Sequence, residues 1–249
     1  MIRMISICCV LLSLLPRIAQ GTENPPLKLV FFDAPPFSWE KNGRVHGLAI
    51  EILNEVLVKH MKINVEYAIL PWERAQIMVK QGAYDGFLNV PTEPRKAYTV
   101  ASQESLLTFN FVLFANQTNP HWTELLEVRT IEDLKPFNNC HVLGTHWSKK
   151  LLMKGLKTYL VKTPRQAIHM VNMKRCDTFV APLLIGTWAV NKLGLQKTVS
   201  GIPEAVMDQF PYHLMISNQS RYEKILPQFD KVVKKLKNEG IIETIQKKY

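Results

Sequence analysis

The side chains with the clearest chemical potential lie between residues 71 and 95 of this sequence. The segment PWERAQIMVKQGAYDGFLNVPTEPR predicts a helix that begins at Trp72, a turn, a short apolar strand and a loop that ends at Arg95. An arginine grips a carboxylate through two parallel hydrogen bonds, while an aromatic ring packs against the apolar part of the same ligand. The pair therefore predicts a receptor for a small anionic molecule. The alternatives are a surface arginine and a tryptophan that only fastens its helix to the core.

Other groupings of reactive side chains are weak. The seven histidines are scattered, and the two cysteines that follow the N-terminal segment, Cys140 and Cys176, have no CxxC spacing. The sequence has no glycine-rich phosphate loop and no order of serine, histidine and aspartate that supports a triad. We therefore predict a binding protein rather than an enzyme, without a metal or a cofactor. An enzyme acting in a cleft is kept as an alternative.

The first 21 residues predict an export signal. Arg3 lies in a short basic start, an apolar run covers residues 5–15, and Ala-Gln-Gly at residues 19–21 supplies small side chains for cleavage. The apolar run is too short to cross a bilayer, although an N-terminal anchor is the alternative. We expect cleavage near Gly21 and a periplasmic mature chain that begins at Thr22.

The length and the composition of the full chain indicate a basic protein of one large or two small domains. The formal net charge is +10, from 31 lysines and arginines against 21 acidic residues. The lysines are dispersed, and their densest group, residues 231–237, fits a solvated helix face, so no nucleic-acid partner is predicted. In an oxidising compartment Cys140 and Cys176 either form one disulfide or remain two buried thiols. Each precedes a short strand, and adjacent parallel strands would bring these starts together.

Strands and helices alternate along the chain, which predicts an α/β protein built from right-handed βαβ units. Strands are predicted at residues 27–32, 64–70, 85–88, 109–115, 140–144, 158–161, 177–181 and 212–217. Helices are predicted at residues 47–60, 72–81, 130–134, 148–155, 164–174 and 183–192, and again after residue 217. Two such series indicate two lobes, with lobe 1 formed by residues 22–115 and 210–249 and lobe 2 by residues 116–209.

A chain with this order crosses between its lobes twice. We expect the crossings near residues 115–119 and 209–212, where two strands would form a hinge. Open α/β sheets bind ligands at the carboxyl ends of their strands, so the site is expected in the cleft between the lobes.

Several short motifs also follow one another in a recognisable order. They are Pro-Pro-Phe at 35–37, Gly47 with Glu51, Pro-Trp-Glu-Arg-Ala at 71–75, Tyr-Asp-Gly at 84–86, Thr-Glu-Pro-Arg at 92–95, Ile-Glu-Asp-Leu at 131–134 and Cys-Asp at 176–177. This order resembles the extracellular solute-binding proteins of family 3 and covers residues 27–249. The resemblance implies a two-lobed type II periplasmic binding protein fold, with two parallel or mixed sheets joined by a two-strand hinge. It also implies a monomeric receptor that delivers its ligand to a membrane permease or, alternatively, a sensory subunit.

The resemblance carries ligand-binding roles to particular positions. These positions are Phe37, Trp72, Asn89, Thr92, Arg95, Thr145, His146 and Trp147. Arg95 matches the arginine that binds the ligand carboxylate in the family, and Trp72 matches the aromatic that stacks on the ligand. Thr145 matches a loop at the start of a lobe 2 helix, where exposed N–H groups favour anions.

The sequence departs from the family pattern at the position that recognises an ammonium group. Family members specific for amino acids carry an acidic residue just beyond the strand at 177–181, but here Ala181, Pro182 and Leu183 occupy that place. The serines that usually precede the arginine are also missing, which leaves Asn89 as the one polar candidate there. We therefore expect a more apolar pocket for a small carboxylate, an amino acid or a related organic acid, with a standard α-amino acid disfavoured.

Overall fold

A computed structural model describes residues 25–249, so the predicted export signal and its cleavage site lie outside the described residues. Within this range no helix combines the length and the apolar character needed to cross a membrane.

Ten strands form the two sheets of the described chain. They are β1 (Leu27–Phe31), β2 (Trp39–Lys41), β3 (Arg44–His46), β4 (Val65–Ile69), β5 (Gly86–Asn89), β6 (Thr99–Asn116), β7 (Asn139–Val142), β8 (Thr158–Val161), β9 (Thr178–Pro182) and β10 (Val199–Ser217). Eight of them form one sheet in the order β4-β1-β5-β10-β6-β9-β7-β8, and β2 pairs with β3 in a separate hairpin.

The helices flank the large sheet. They are α1 (Leu48–Leu53), α2 (Trp72–Lys80), α3 (Glu93–Lys96), α4 (Trp122–Leu126), α5 (His146–Met153), α6 (Pro164–Asn172), α7 (Leu183–Lys192), α8 (Leu226–Asn238) and α9 (Ile241–Gln246). A π-helical segment, Asn54–His60, continues α1, and 3₁₀ turns cover Glu132–Leu134 and Arg221–Ile225. The alternation of strands and helices is thus the one that the apolar periodicity predicted. The additions to it are α4, the β2–β3 hairpin and α3, which lies where a loop ending at Arg95 was predicted.

The two long strands β6 and β10 connect the two halves of the sheet. They pair with each other antiparallel, β10 pairs with β5 through residues 213–216, and β6 pairs with β9 through residues 111–115. The chain therefore passes between the halves around residues 108–110 and 209–212, whereas the first crossing was expected at 115–119. We call the half with β1–β5, α1–α3, α8 and α9 lobe 1, and the half with β7–β9 and α4–α7 lobe 2.

The large sheet is continuous because the two crossing strands, which join the sheets of the two lobes, are hydrogen-bonded within it. The predicted strands at 109–115 and 212–217 are only the ends of β6 and β10, which have 18 and 19 residues. The first half of β6, from Thr99 to Thr108, has four consecutive polar residues at its centre, Ser102 to Ser105, and lacks the apolar run that marks a buried strand. The pairing of the two strands also shifts register between Ile202 and Val206 and again between Tyr212 and Met215.

A disulfide lies in the core of lobe 2. Cys140 and Cys176 are bonded, both side chains are buried, and their Cα atoms are 5.8 Å apart. Residues at the starts of β7 and β9 pair directly, Asn139 with Thr178, which brings the two cysteines together. Of the two alternatives left open by the sequence, the structure has the disulfide.

Candidate functional site

A narrow cleft with a free volume of about 60 Å³ lies between the lobes. Its lining is dominated by aromatic side chains from both lobes and from the crossing strands, namely Phe32, Trp72, Phe111, Trp147, Phe179, Phe210 and Tyr212. Arg95 and Asn89 line it from lobe 1, and His141 and Thr145 from lobe 2. Two walls of different chemistry thus face each other across an apolar interior.

The wall of lobe 1 is organised around the guanidinium of Arg95, which is only 4% exposed. Its Nε donates a hydrogen bond to Oε1 of Gln76 at 3.1 Å. Its Nη1 donates to Oδ1 of Asn89 at 3.0 Å and to the carbonyl of Val90 at 2.8 Å. The ring of Trp72 lies beneath, with its centroid 5.0 Å from Cζ of the arginine. Three hydrogen bonds and a cation–π contact therefore fix the orientation of the cation before any ligand arrives.

This buried cation has no anionic partner within the described chain. Among residues 25–249 no carboxylate forms an ion pair with Arg95, and its Nη2 group donates to no protein acceptor. Burial lowers the pKa of Arg95, and the nearby hydroxyls of Tyr212 and Tyr98 oppose this effect. Since a buried charge is costly unless it is paired, the arrangement is suited to binding an anion.

Three of the predicted ligand-binding residues have other positions or partners. Oδ1 of Asn89 accepts hydrogen bonds from Nη1 of Arg95 and, at 2.8 Å, from the backbone N–H of Val90. Asn89 therefore orients the guanidinium. Thr92 lines a wider groove at the mouth of the cleft rather than the inner cavity. Phe37 is fully buried in the core of lobe 1, outside the cleft wall, where its ring packs edge-on against Tyr212 at 5.6 Å.

The wall of lobe 2 is built from the end of β7 and the start of α5. Thr145 caps this helix, because its Oγ1 accepts the N–H of Ser148 at 3.1 Å. The cap lets α5 begin at His146, two residues before the predicted start. The hydroxyl of Thr145 also lies 2.9 Å from the carbonyl of Val142 and 3.0 Å from Nδ1 of His141, and both of these acceptors are within lobe 2.

His146 lies beside the cleft without a charge at neutral pH. Its ring packs edge-on against Phe210, with centroids 5.3 Å apart. Burial lowers the pKa of His146, and the positive charges of Lys150 and Arg95 lower it further. Asp208, which pairs with Lys150 at 3.5 Å, acts in the opposite direction.

The lobes contact each other at the rim of the cleft. Gly144 has a left-handed backbone with φ of 75°, and a Cβ atom built there would lie 2.4 Å from Cγ of Glu73 in lobe 1. At another point of the rim, Nη2 of Arg165 is 3.9 Å from Oδ2 of Asp33. The cleft is therefore in a closed arrangement.

A second, wider groove of about 930 Å³ opens at the mouth. Four lysines line it against two glutamates, Glu73 and Glu93, which leaves an excess of positive charge; the lysines are Lys80, Lys149, Lys150 and Lys154. Positive charge around an entrance raises the local concentration of anions and guides them inward. The mouth and the buried guanidinium thus favour the same sign of ligand charge.

Several lining residues of the cleft were not predicted from the sequence, and two of them, Tyr212 and His141, carry polar groups. Tyr212 is buried beside Arg95, and burial raises the pKa of its hydroxyl to about 12. Its position within the predicted crossing at residues 209–212 was the available signal. His141 is the second residue of the strand predicted at 140–144, and it lies near a carboxyl end, where open sheets bind ligands, only in the observed β7. Nothing in its local pattern set it apart from the other histidines.

The chain matches the family model of the bacterial extracellular solute-binding proteins, family 3, over residues 29–249. It is similar to the probable amino-acid-binding protein YxeM of Bacillus subtilis (strain 168). The two are 22% identical over 225 residues, which cover 86% of this chain and 79% of the relative.

Solved structures share the fold. A histidine kinase sensor domain with similarity to periplasmic binding proteins superposes with a TM-score of 0.78 and 18% identity, over 90% of this chain and 96% of that one. The substrate-binding protein of an amino acid ABC transporter gives a TM-score of 0.71 and 17% identity, over 90% and 98% of the two chains. The predicted two-lobed type II periplasmic binding protein fold is thereby confirmed.

Proposed function

This chain belongs to family 3 of the bacterial extracellular solute-binding proteins, and we propose that it is a periplasmic receptor for a small carboxylate-bearing molecule. The observation that carries this proposal is the buried guanidinium of Arg95, which lacks a carboxylate partner among residues 25–249. A ligand carboxylate supplies the missing counter-charge and accepts hydrogen bonds from the free side of the guanidinium. The amino acids and related organic acids are the compounds to which this chemistry points.

The rest of the cleft supports an apolar ligand body. Trp72 and Tyr212 flank the guanidinium, and Phe111 and Phe210 continue the apolar lining along the crossing strands. Contact with these rings removes apolar ligand surface from water, which adds affinity without adding specificity for charge. Closure of lobe 2 over lobe 1 then completes the enclosure.

Delivery to a membrane permease is the role we propose for the closed form. The predicted export signal supports a periplasmic location, and a monomeric receptor that closes on its ligand presents a distinct surface to a membrane partner. The second candidate is a ligand-sensing subunit, which the likeness in fold to a sensor domain fits. Disruption of a gene for a membrane protein encoded beside this chain separates the two roles. Loss of uptake supports the first role, and loss of a transcriptional response supports the second.

A thermal-shift screen of the mature protein tests the carboxylate proposal. The panel comprises amino acids, dicarboxylates and aromatic acids, each beside its uncharged amide or alcohol. A ligand that binds only the folded state raises the melting temperature. At a concentration one hundred times Kd it adds about 2.7 kcal/mol to the free energy of unfolding. We expect carboxylates to shift the transition and their amides not to shift it.

Two outcomes overturn the proposal. The first is that no carboxylate in a broad panel shifts the transition, and the second is that amides bind as tightly as acids. Incubation of each hit followed by NMR of the recovered compound tests the enzyme alternative, since conversion of the ligand would favour catalysis over binding.

A further inference from the structure

Two neighbouring rings on the lobe 2 wall have buried nitrogen atoms without a hydrogen-bond partner. Among the described residues, 25–249, no group pairs with Nε2 of His141 or Nε1 of Trp147. The two side chains are 3% and 1% exposed, and both line the cleft. Their rings are stacked, with an interplanar angle of 14° and centroids 6.5 Å apart.

The hydrogen bonds of the histidine determine what its free nitrogen offers. Nδ1 of His141 accepts the backbone N–H of Val142 at 2.9 Å, so this nitrogen carries no proton. Burial lowers the pKa of the ring to about 4, although contacts with the backbone of Val142 and Val180 oppose this effect. The ring is therefore neutral at neutral pH, and its single proton is on Nε2. Since the indole nitrogen is also a donor, the lobe 2 wall holds two buried N–H groups on stacked rings that line the cleft.

The cleft does not provide a carboxylate for these donors or for a ligand ammonium group. None of the described residues that line the inner cavity is aspartate or glutamate. Ala181 and Pro182 line it at the end of β9, where the family's amino-acid receptors were expected to carry an acidic residue. Buried donors without acceptors are unfavourable, and a ligand that brings an acceptor removes that penalty on binding.

We infer that His141 and Trp147 form a second polar subsite, which binds an oxygen acceptor at the end of the ligand remote from the carboxylate held by Arg95. The inference rests on the proposed function and specifies its ligand class. The ligand is an organic acid with a second carboxylate or a carbonyl oxygen, and a terminal ammonium group is excluded because it would meet donors. Because the pair lies on lobe 2 and Arg95 on lobe 1, such a ligand bridges the lobes.

Matched ligand series measured by calorimetry on the mature protein test this subsite. The aliphatic series is glutarate and levulinate with an oxygen acceptor, pentanoate with a methyl group and δ-aminopentanoate with an ammonium group. The aromatic series is terephthalate, p-toluate and p-(aminomethyl)benzoate. We expect an acceptor-bearing member of one series to bind about tenfold more tightly than its methyl analogue, and the ammonium analogue to bind most weakly.

Variants locate the effect on the two rings. Trp147→Phe keeps an aromatic ring and removes the N–H, so binding of the acceptor-bearing member falls about tenfold while that of the methyl analogue stays within about twofold. His141→Phe gives the same pattern. Trp188→Phe, the same chemical change in lobe 2 outside the inner cavity, leaves both affinities unchanged. If a cleft variant does not fold, the selectivity of the wild-type protein across the two ligand series still decides whether the subsite binds an acceptor.

The outcomes separate this inference from the proposed function. Equal binding of methyl and acceptor-bearing members, or preferred binding of the ammonium member, overturns the subsite and leaves the carboxylate receptor intact. Unchanged selectivity in both correctly folded cleft variants also overturns the subsite. Failure of every carboxylate in both series and in the wider panel overturns the receptor and the subsite together.

Discussion

The two walls of the cleft contribute hydrogen-bond donors in opposite states. Lobe 1 presents a charged guanidinium with three of its donor contacts already made to Gln76, Asn89 and Val90. Lobe 2 presents neutral rings, His141 and Trp147, whose Nε2 and Nε1 atoms respectively have no partner among residues 25–249. A prearranged charge binds with little loss of side-chain freedom, whereas unpaired neutral donors penalise every ligand that fails to satisfy them. Under the proposed function, lobe 1 therefore supplies affinity and lobe 2 supplies discrimination.

The largest effect is expected from removing the charge of lobe 1. Arg95→Met deletes the guanidinium while keeping a long apolar side chain, and we expect it to weaken carboxylate binding by about 3 kcal/mol or more. Arg95→Lys keeps the charge but loses the planar fork, so its affinity should be intermediate. Calorimetry measures both, with Lys149→Met at the mouth as a control for charge alone. Wild-type affinity in Arg95→Met would mean that the charged wall is not where the ligand binds.

The disulfide gives lobe 2 a covalent support for its wall. Cys140 and Cys176 are separated by 36 residues, and closing a loop of this length restricts the unfolded chain by about 3–4 kcal/mol. The double variant Cys140→Ala/Cys176→Ala should lose about that much unfolding free energy, measured by urea denaturation. Hydrogen exchange should show the loss in β7 and β9 and leave β1 and β4 of lobe 1 protected. A uniform loss of hydrogen-exchange protection across both lobes would contradict the expectation that the disulfide stabilises lobe 2 in particular.

The neutral histidine of lobe 2 predicts a specific dependence of stability on pH. The pKa of His141 is about 4 in the folded protein and 6.5 in the reference state, so the unfolded chain binds more protons between these values. The free energy of unfolding that the neutral ring supports is fully present above the pKa of the unfolded state. About 3 kcal/mol of it is lost in total as the pH falls towards the pKa of the folded state. Unfolding free energies of wild-type protein and His141→Gln, compared across this window, should differ in slope. Parallel curves would show that His141 is charged or exposed.

The smallest effect is expected at the rim where the walls meet. Gly144→Ala places a methyl group against Cγ of Glu73 and strains a backbone with φ of 75°. Both effects oppose closure, and we expect affinity to fall by about 1–2 kcal/mol, chiefly through faster dissociation in stopped-flow experiments. Adding Glu73→Ala relieves the contact but not the backbone strain, so it should restore part of the loss. Equal affinity of Gly144→Ala and wild type would show that the closed rim does not limit binding.

The difference between the walls also explains what the sequence could predict. Most of the lobe 1 wall lies within one contiguous segment, residues 72–95, so local spacing and the resemblance were enough to identify Trp72 and Arg95 as candidates. Tyr212 reaches the same cavity from the far end of the chain, and the predicted crossing at residues 209–212 was the one signal of that proximity. His141 differs from the other histidines only in its burial and unused nitrogen, which depend on the packing of Phe179 and Trp147 around it. Phe37 is the converse case, since its position in a cleft-forming motif concealed a role in the core.

The paired crossing strands restrict how the two lobes can move. Because β6 and β10 are hydrogen-bonded to each other, the connection is a ribbon rather than two independent linkers, with register shifts near residues 202–208 and 212–215. A ribbon twists more readily than it bends within its own plane, so closure has one dominant degree of freedom. A single distance across the mouth, for instance between fluorophores at Lys80 and Lys154, would then report the whole reaction coordinate. The scaffold is accordingly suited to conversion into a ratiometric optical sensor for its ligand.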